Sequence, residues 1–204
     1  MQKQQNHKIL TISMLTGAAA ALLLSAFSSF AGHCESVKQE VLRLHILPHS
    51  NSASDQQLKY DLRDFLLSEL CYSLADAQTF EEAKNTAERI LPETQRKARE
   101  FIALQGYDYE VVVSLENIYF TTRVYENITM PAGNYYALAV RIGSGQGSNW
   151  WCVAFPPLCL PAASGKAEHP QEPYFTPETS EIIENGGRIE IKFAIYEWFK
   201  ARFG

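Results

Sequence analysis

Hydrophobic side chains change their period twice along this chain. Residues 9–30 are apolar or small and carry no charge, residues 54–105 repeat apolar positions at helical spacing, and residues 109–155 largely alternate them. Ahead of the helical region, Glu40 to Leu47 alternates and predicts a strand. His49-Ser50-Asn51-Ser52 is a polar turn. Ser54 and Gln57 have capping-box spacing, which satisfies the free N–H groups of a helix start. Leu58, Leu62, Phe65, Leu66, Leu70 and Leu74 then line one face. Thr79 with Glu82 starts a second helix, Pro92 kinks it or opens a new one, and Gly106 ends it.

The second half reads as strands. Tyr109, Val111, Val113 and Leu115 share one face, and Ile118 to Tyr125 is a further strand. After a turn at Pro131-Ala132-Gly133, Tyr136, Leu138, Val140 and Ile142 alternate, and Asn149 to Phe155 forms another strand. Residues 161–187 hold four Pro and three Gly and predict a flexible loop. Ile189 and Ile191 predict a short strand, and Ala194 to Phe203 a closing helix. Helices first and strands later predict an α+β fold: an antiparallel sheet of about 4–6 strands with helices on one face.

The apolar N-terminus changes the compartment. Lys3, His7 and Lys8 precede it, and Ser29-Phe30-Ala31 places small residues where a signal peptidase reads. Residues 1–31 are therefore expected to be a signal peptide cut after Ala31. An uncleaved membrane anchor is the alternative, since a bilayer needs about 20 apolar residues. His33 before Cys34 argues against a lipoprotein. Residues 32–204 suit one extracytoplasmic domain. The cut removes two cations and no acid, taking the net charge from −5 to −7. That excludes nucleic acid as a partner, which needs clustered Lys and Arg.

Cys34, Cys71, Cys152 and Cys159 in an exported chain allow disulfides. Cys152 and Cys159 would lie about 23 Å apart if extended, so Pro156-Pro157 must reverse the chain for a bridge. Closing that loop gains about 2.5 kcal/mol by chain entropy, so a Cys152–Cys159 bridge is expected, with two buried free thiols as the alternative. Cys34 has Cys71 as a partner or none. His33, His45, His49 and His169 adjoin no cysteine-protease signature. His45, His49 and Asp55 lack a third His or Cys at metal-ligand spacing, and Pro48 intervenes, so no metal site is expected. Gly143-Ser-Gly-Gln-Gly147 has no Lys followed by Ser or Thr, which makes it a hairpin connection with positive-φ glycines rather than a phosphate loop. No cofactor or small-molecule substrate is evident.

Trp150 and Trp151 point to opposite faces of a strand. Burying one stabilises by at most about 4–6 kcal/mol. The other is then available to a partner, together with Phe155, Pro156 and Pro157; the alternative is that the whole segment is core and the contacts lie on the first turn or the helices.

These residues resemble the stage II sporulation protein R family of endospore-forming bacteria. The likeness runs through Leu42-Arg43-Leu44-His45, Ser50, Asp55-Gln56, Leu58-Lys59, Arg63-Asp64, Tyr125, Pro131 to Tyr135, and Ile142 to Cys159. It implies a secreted developmental signal rather than an enzyme. Such a signal leaves the forespore for the intermembrane space and activates a membrane-embedded aspartic protease, which cleaves a mother-cell sigma-factor precursor. The rival reading from the residues is an exported hydrolase, acting on cell wall or dependent on Cys and His.

Overall fold

The computed structural model describes residues 2–125 and 128–156, with Trp198 and Arg202 beyond them. The expected loop at 161–187, the strand at Ile189 and Ile191, the rest of the closing helix, Pro157 and Cys159 lie outside the described residues. Helix α1 spans Gln2–Gln39, β1 Leu42–Leu47, α2 Ala53–Leu74 and α3 Phe80–Leu104. Five strands follow: β2 Val111–Phe120, β3 Arg123–Tyr125, β4 Ile128–Met130, β5 Gly133–Ile142 and β6 Trp150–Phe155. The fold is α+β, with helices first and strands later.

The sheet order is β2-β5-β1-β6, with β3 and β4 as a separate antiparallel pair. Its pairings are antiparallel except β1 with β5, which run parallel. The two strands expected between 109 and 125 are mainly one: β2 runs unbroken past Ser114 to Phe120, paired throughout with β5.

Strand β1 is central and buried on both faces. Leu42, Leu44 and Ile46 join the main core with Leu58, Leu62 and Leu66 of α2 and with Ala83, Ala87, Ala98 and Ile102 of α3. Those alanines let α3 lie close to its neighbours, and Phe65 stacks on Phe101 at 4.8 Å to join the two helices. Pro92 lies inside α3 without ending it. It is exposed, so the Glu88 carbonyl that loses its N–H partner is left to water.

The opposite face is also covered, which the one-face expectation misses. Val37 of α1, Val41, Phe120, Met130, Tyr135, Ala137 and Val153 form a second core. Arg43 enters it fully buried, its guanidinium 4.4 Å from the Phe120 and Tyr135 ring centres and 4.6 Å from that of Trp151. A desolvated cation against ring faces is stabilised by their quadrupoles, so a polar position in the alternating pattern becomes core.

Helix α1 divides in two. Ile9 to Leu24 is exposed, whereas Phe30, Cys34 and Val37 are buried. Cys34 and Cys71 are both free thiols, one buried and one exposed.

Candidate functional site

Strands β1 and β5 are parallel and finish at the same end of the sheet, while β6 returns along the far side of β1. The link from β5 to β6, residues 143–149, must therefore cross the end of β1. This corrects the hairpin expectation: β1 separates the two strands, so the glycine loop is a crossover. Gly143 and Gly145 do have positive φ, 56° and 64°.

The crossover lands on the turn that leaves β1. Gly147 N–H donates to the Pro48 carbonyl at 3.0 Å. Ser144 donates its N–H to His49 Nδ1 at 3.1 Å and its hydroxyl to the His49 carbonyl at 2.6 Å. Ser148 N–H donates to Asn51 Oδ1 at 2.6 Å. A Cβ on Gly147 would stand 2.2 Å from the Ser50 carbonyl oxygen, and one on Gly143 would stand 2.4 Å from His49 Nδ1. Gly147 is needed for this approach of backbone to backbone, and Gly143 for the approach of the His49 ring.

Helix α2 supplies the floor. Its N-cap is Ser52, in extended conformation, whose hydroxyl accepts from Asp55 N–H at 3.1 Å. The expected cap at Ser54 is corrected by two residues, because the extended backbone that a cap requires occurs at Ser52. Asp55 accepts from the Ser50 hydroxyl at 2.5 Å and from the Tyr109 hydroxyl at 3.1 Å. Those bonds, the Ser50 one foremost, hold its carboxyl below the usual range against the opposing effect of burial. His49 stacks on Tyr109 at 4.5 Å. One turn on, Lys59 is 1 % exposed and donates to Gln56 Oε1 at 2.6 Å and to the Ser148 carbonyl at 3.0 Å.

His45 points into the opposite face, edge-on to Phe120 at 5.6 Å. Asn149 Nδ2 lies 2.9 Å from its Nε2, and its buried Nδ1 has no hydrogen-bond partner among the described residues. Burial lowers its pKa, Arg141 and Arg43 add to that, and Glu116 opposes it. His45 and His49 are thus held by different partners. Among the described residues, no three His, Cys, Asp or Glu side chains are grouped to hold a metal ion.

Strand β6 leaves this end with its two tryptophans half-buried on opposite faces. Trp150 packs on the helix-side core beneath Arg63, 5.2 Å away. Trp151 packs on the other core beside Phe120, with Arg123 4.9 Å above its ring. Phe155 is 3 % exposed and Pro156 is buried. These two belong to the core, leaving Trp150 and Trp151 as the described contact candidates that present surface. Cys152 is buried on β6, and its expected bridge to Cys159 lies outside the described residues.

The sequence pattern alone does not mark Lys59 and Tyr109 as site residues, and it offers Asp55 only as a metal ligand. The signal was present: Asp55 and Lys59 continue the buried stripe of Leu62 and Leu66 at helical spacing, and a polar residue on such a stripe needs a partner.

Both halves of the latched end lie within residues 38–164, which match the family model described as Stage II sporulation protein R. The chain is 33 % identical over 186 residues to the stage II sporulation protein R of Bacillus subtilis (strain 168), covering 82 % of this chain and 83 % of that protein. No solved structure matches the chain significantly. The chain belongs to the stage II sporulation protein R family.

Proposed function

We propose that this protein is an exported developmental signal of endospore formation. It activates a membrane-embedded aspartic protease, which then cleaves the precursor of a mother-cell sigma factor. The single observation that carries the contact surface is the latched end: turn 48–52 and loop 143–149 are fastened to each other and open directly into Trp150 and Trp151. A surface held in shape before binding loses less entropy on binding, and aromatic residues are favoured anchors.

The apolar stretch of α1, with mean hydropathy 2.0, supports export or anchoring of the domain. A hydrolase reading finds less support at this end. The Ser50 hydroxyl donates to Asp55 rather than to a histidine base, and the ring of His49 is committed to Tyr109 and Ser144.

The test measures binding of the full chain to membranes carrying the protease, with Trp150→Ala and Trp151→Ala variants beside it. We expect one or both to weaken binding at least tenfold while the fold persists. Alanine at His45, His49, Cys152 and Cys159 separates the classes. Loss of activity at a single His, with fold and receptor binding intact, would overturn this reading in favour of an enzyme.

A further inference from the structure

Strand β2 is the outermost strand beside β5, and its outer edge is treated in two ways. Its odd-numbered residues turn their backbone groups away from β5. At one end α3 covers them: Arg99 Nε donates to the Val111 carbonyl at 3.0 Å, and Val113 N–H donates to Gln95 Oε1 at 3.0 Å. Helix α3 then crosses obliquely, so that its first turn stands over Tyr136 of β5, with Phe80 6.0 Å from that ring and Lys84 4.5 Å above it. Among the described residues no hydrogen bond reaches the outward N–H and C=O groups of Leu115, Asn117 and Tyr119. Asn117 is exposed, and Tyr119 is 54 % exposed.

A cleft of about 600 Å³ opens beside this bare edge. Asn117 and Tyr136 floor it, Phe80 and Lys84 of α3 form one wall, and Glu35 and Lys38 of α1 form the other. An open strand edge next to a partly apolar cleft under a helix is the arrangement that takes up an extended peptide. The backbone supplies the ladder, and the cleft takes alternate side chains.

We propose that β2 from Leu115 to Tyr119 receives an extended segment of a membrane protein as an added strand, with that segment's side chains entering the cleft. Alternate outward amides and carbonyls match an extended backbone. Natural proteins blunt an edge they do not use, and among the described residues the covering stops after Val113. The choice of a membrane protein comes from α1 as an uncleaved anchor: its last turns wall the cleft, and its exposed apolar stretch ends at Leu24, eleven residues before Glu35 and about 16 Å along the helix. The proposal rests on the reading that the receptor is the membrane-embedded protease.

The test is amide hydrogen exchange on the full chain, free and mixed with lipid nanodiscs holding the protease. Selective protection of Leu115, Asn117 and Tyr119 is expected, with their even-numbered neighbours little changed. Asn117→Pro removes an outward N–H and no ladder bond, so it is expected to weaken nanodisc binding at least tenfold with an unchanged melting curve. Should that variant fail to fold, the exchange pattern of the unaltered chain decides. Binding that leaves the three amides unprotected overturns the edge proposal and spares the signalling reading. Protection of those amides without nanodiscs, in a chain that sediments as a dimer, shows a second copy as the occupant and also overturns it. Absence of any nanodisc binding overturns both.

Discussion

Lys59 Nζ donates to the Ser148 carbonyl at 3.0 Å, across 89 residues of sequence and with only 1 % of the lysine exposed. This bond ties the first turns of α2 to the glycine crossover. A hydrogen bond from a charged donor is worth about 1.5–3 kcal/mol. Lys59→Met keeps the stem and removes the donor, and is expected to lower urea-unfolding stability by about 2 kcal/mol. Exchange protection of the Gly147 and Ser148 amides should fall with it.

Gly147 and Gly145 give a contrast within one loop. At Gly147 an added methyl meets the Ser50 carbonyl at 2.2 Å, so backbone must move. Gly147→Ala is expected to destabilise by about 1–3 kcal/mol through overpacking. At Gly145 the nearest atoms are 3.7 Å away and only the positive φ is costly, which for alanine amounts to about 1 kcal/mol. Chemical denaturation of the two variants checks the order.

Two acid-sensitive steps follow from buried titratable groups. The pKa of His45 is lowered in the folded state, so the unfolded chain binds its proton first. Stability from the neutral ring is complete above the unfolded value of about 6.5 and is lost as pH falls from there to the folded pKa. Asp55 is also lowered, but by bonds to its charged form. Its contribution is present above about pH 4 and is lost as pH falls through its folded pKa. Melting temperature against pH should decline in both windows. His45→Gln should flatten the upper decline and Asp55→Asn the lower.

The Arg43 cage gives a separate prediction. Trp151 is one of three rings around the buried guanidinium. Trp151→Leu retains apolar bulk but removes one ring face, and a desolvated cation–ring contact contributes about 2 kcal/mol. Loss of about that much in thermal unfolding is expected, whereas Trp150→Leu leaves the cage intact and should cost less.

The order of elements was legible because period is a local property: leucines at 58, 62, 66 and 70 mark α2, and alternation from Tyr136 to Ile142 marks β5. The pairing of β1 between β5 and β6 was not legible. It depends on which strands meet across about 100 residues, and no local pattern encodes a parallel neighbour. The latched end shows the same division. Its glycines were visible as turn formers, but that Gly147 must clear Ser50 is known only once the crossover is placed. Arg43 was hidden for a related reason, since an arginine in an alternating strand reads as solvent-facing until a second layer covers it.

The central claim is that this chain activates a membrane protease. Its most direct test is co-expression, in a non-sporulating host, of the full chain, the membrane-embedded aspartic protease and the sigma-factor precursor, with precursor cleavage read by immunoblot. The account predicts cleavage when all three are present and none when this chain is left out. Cleavage without this chain, or its absence with all three proteins folded, the protease in the membrane and this chain exported, would contradict the account.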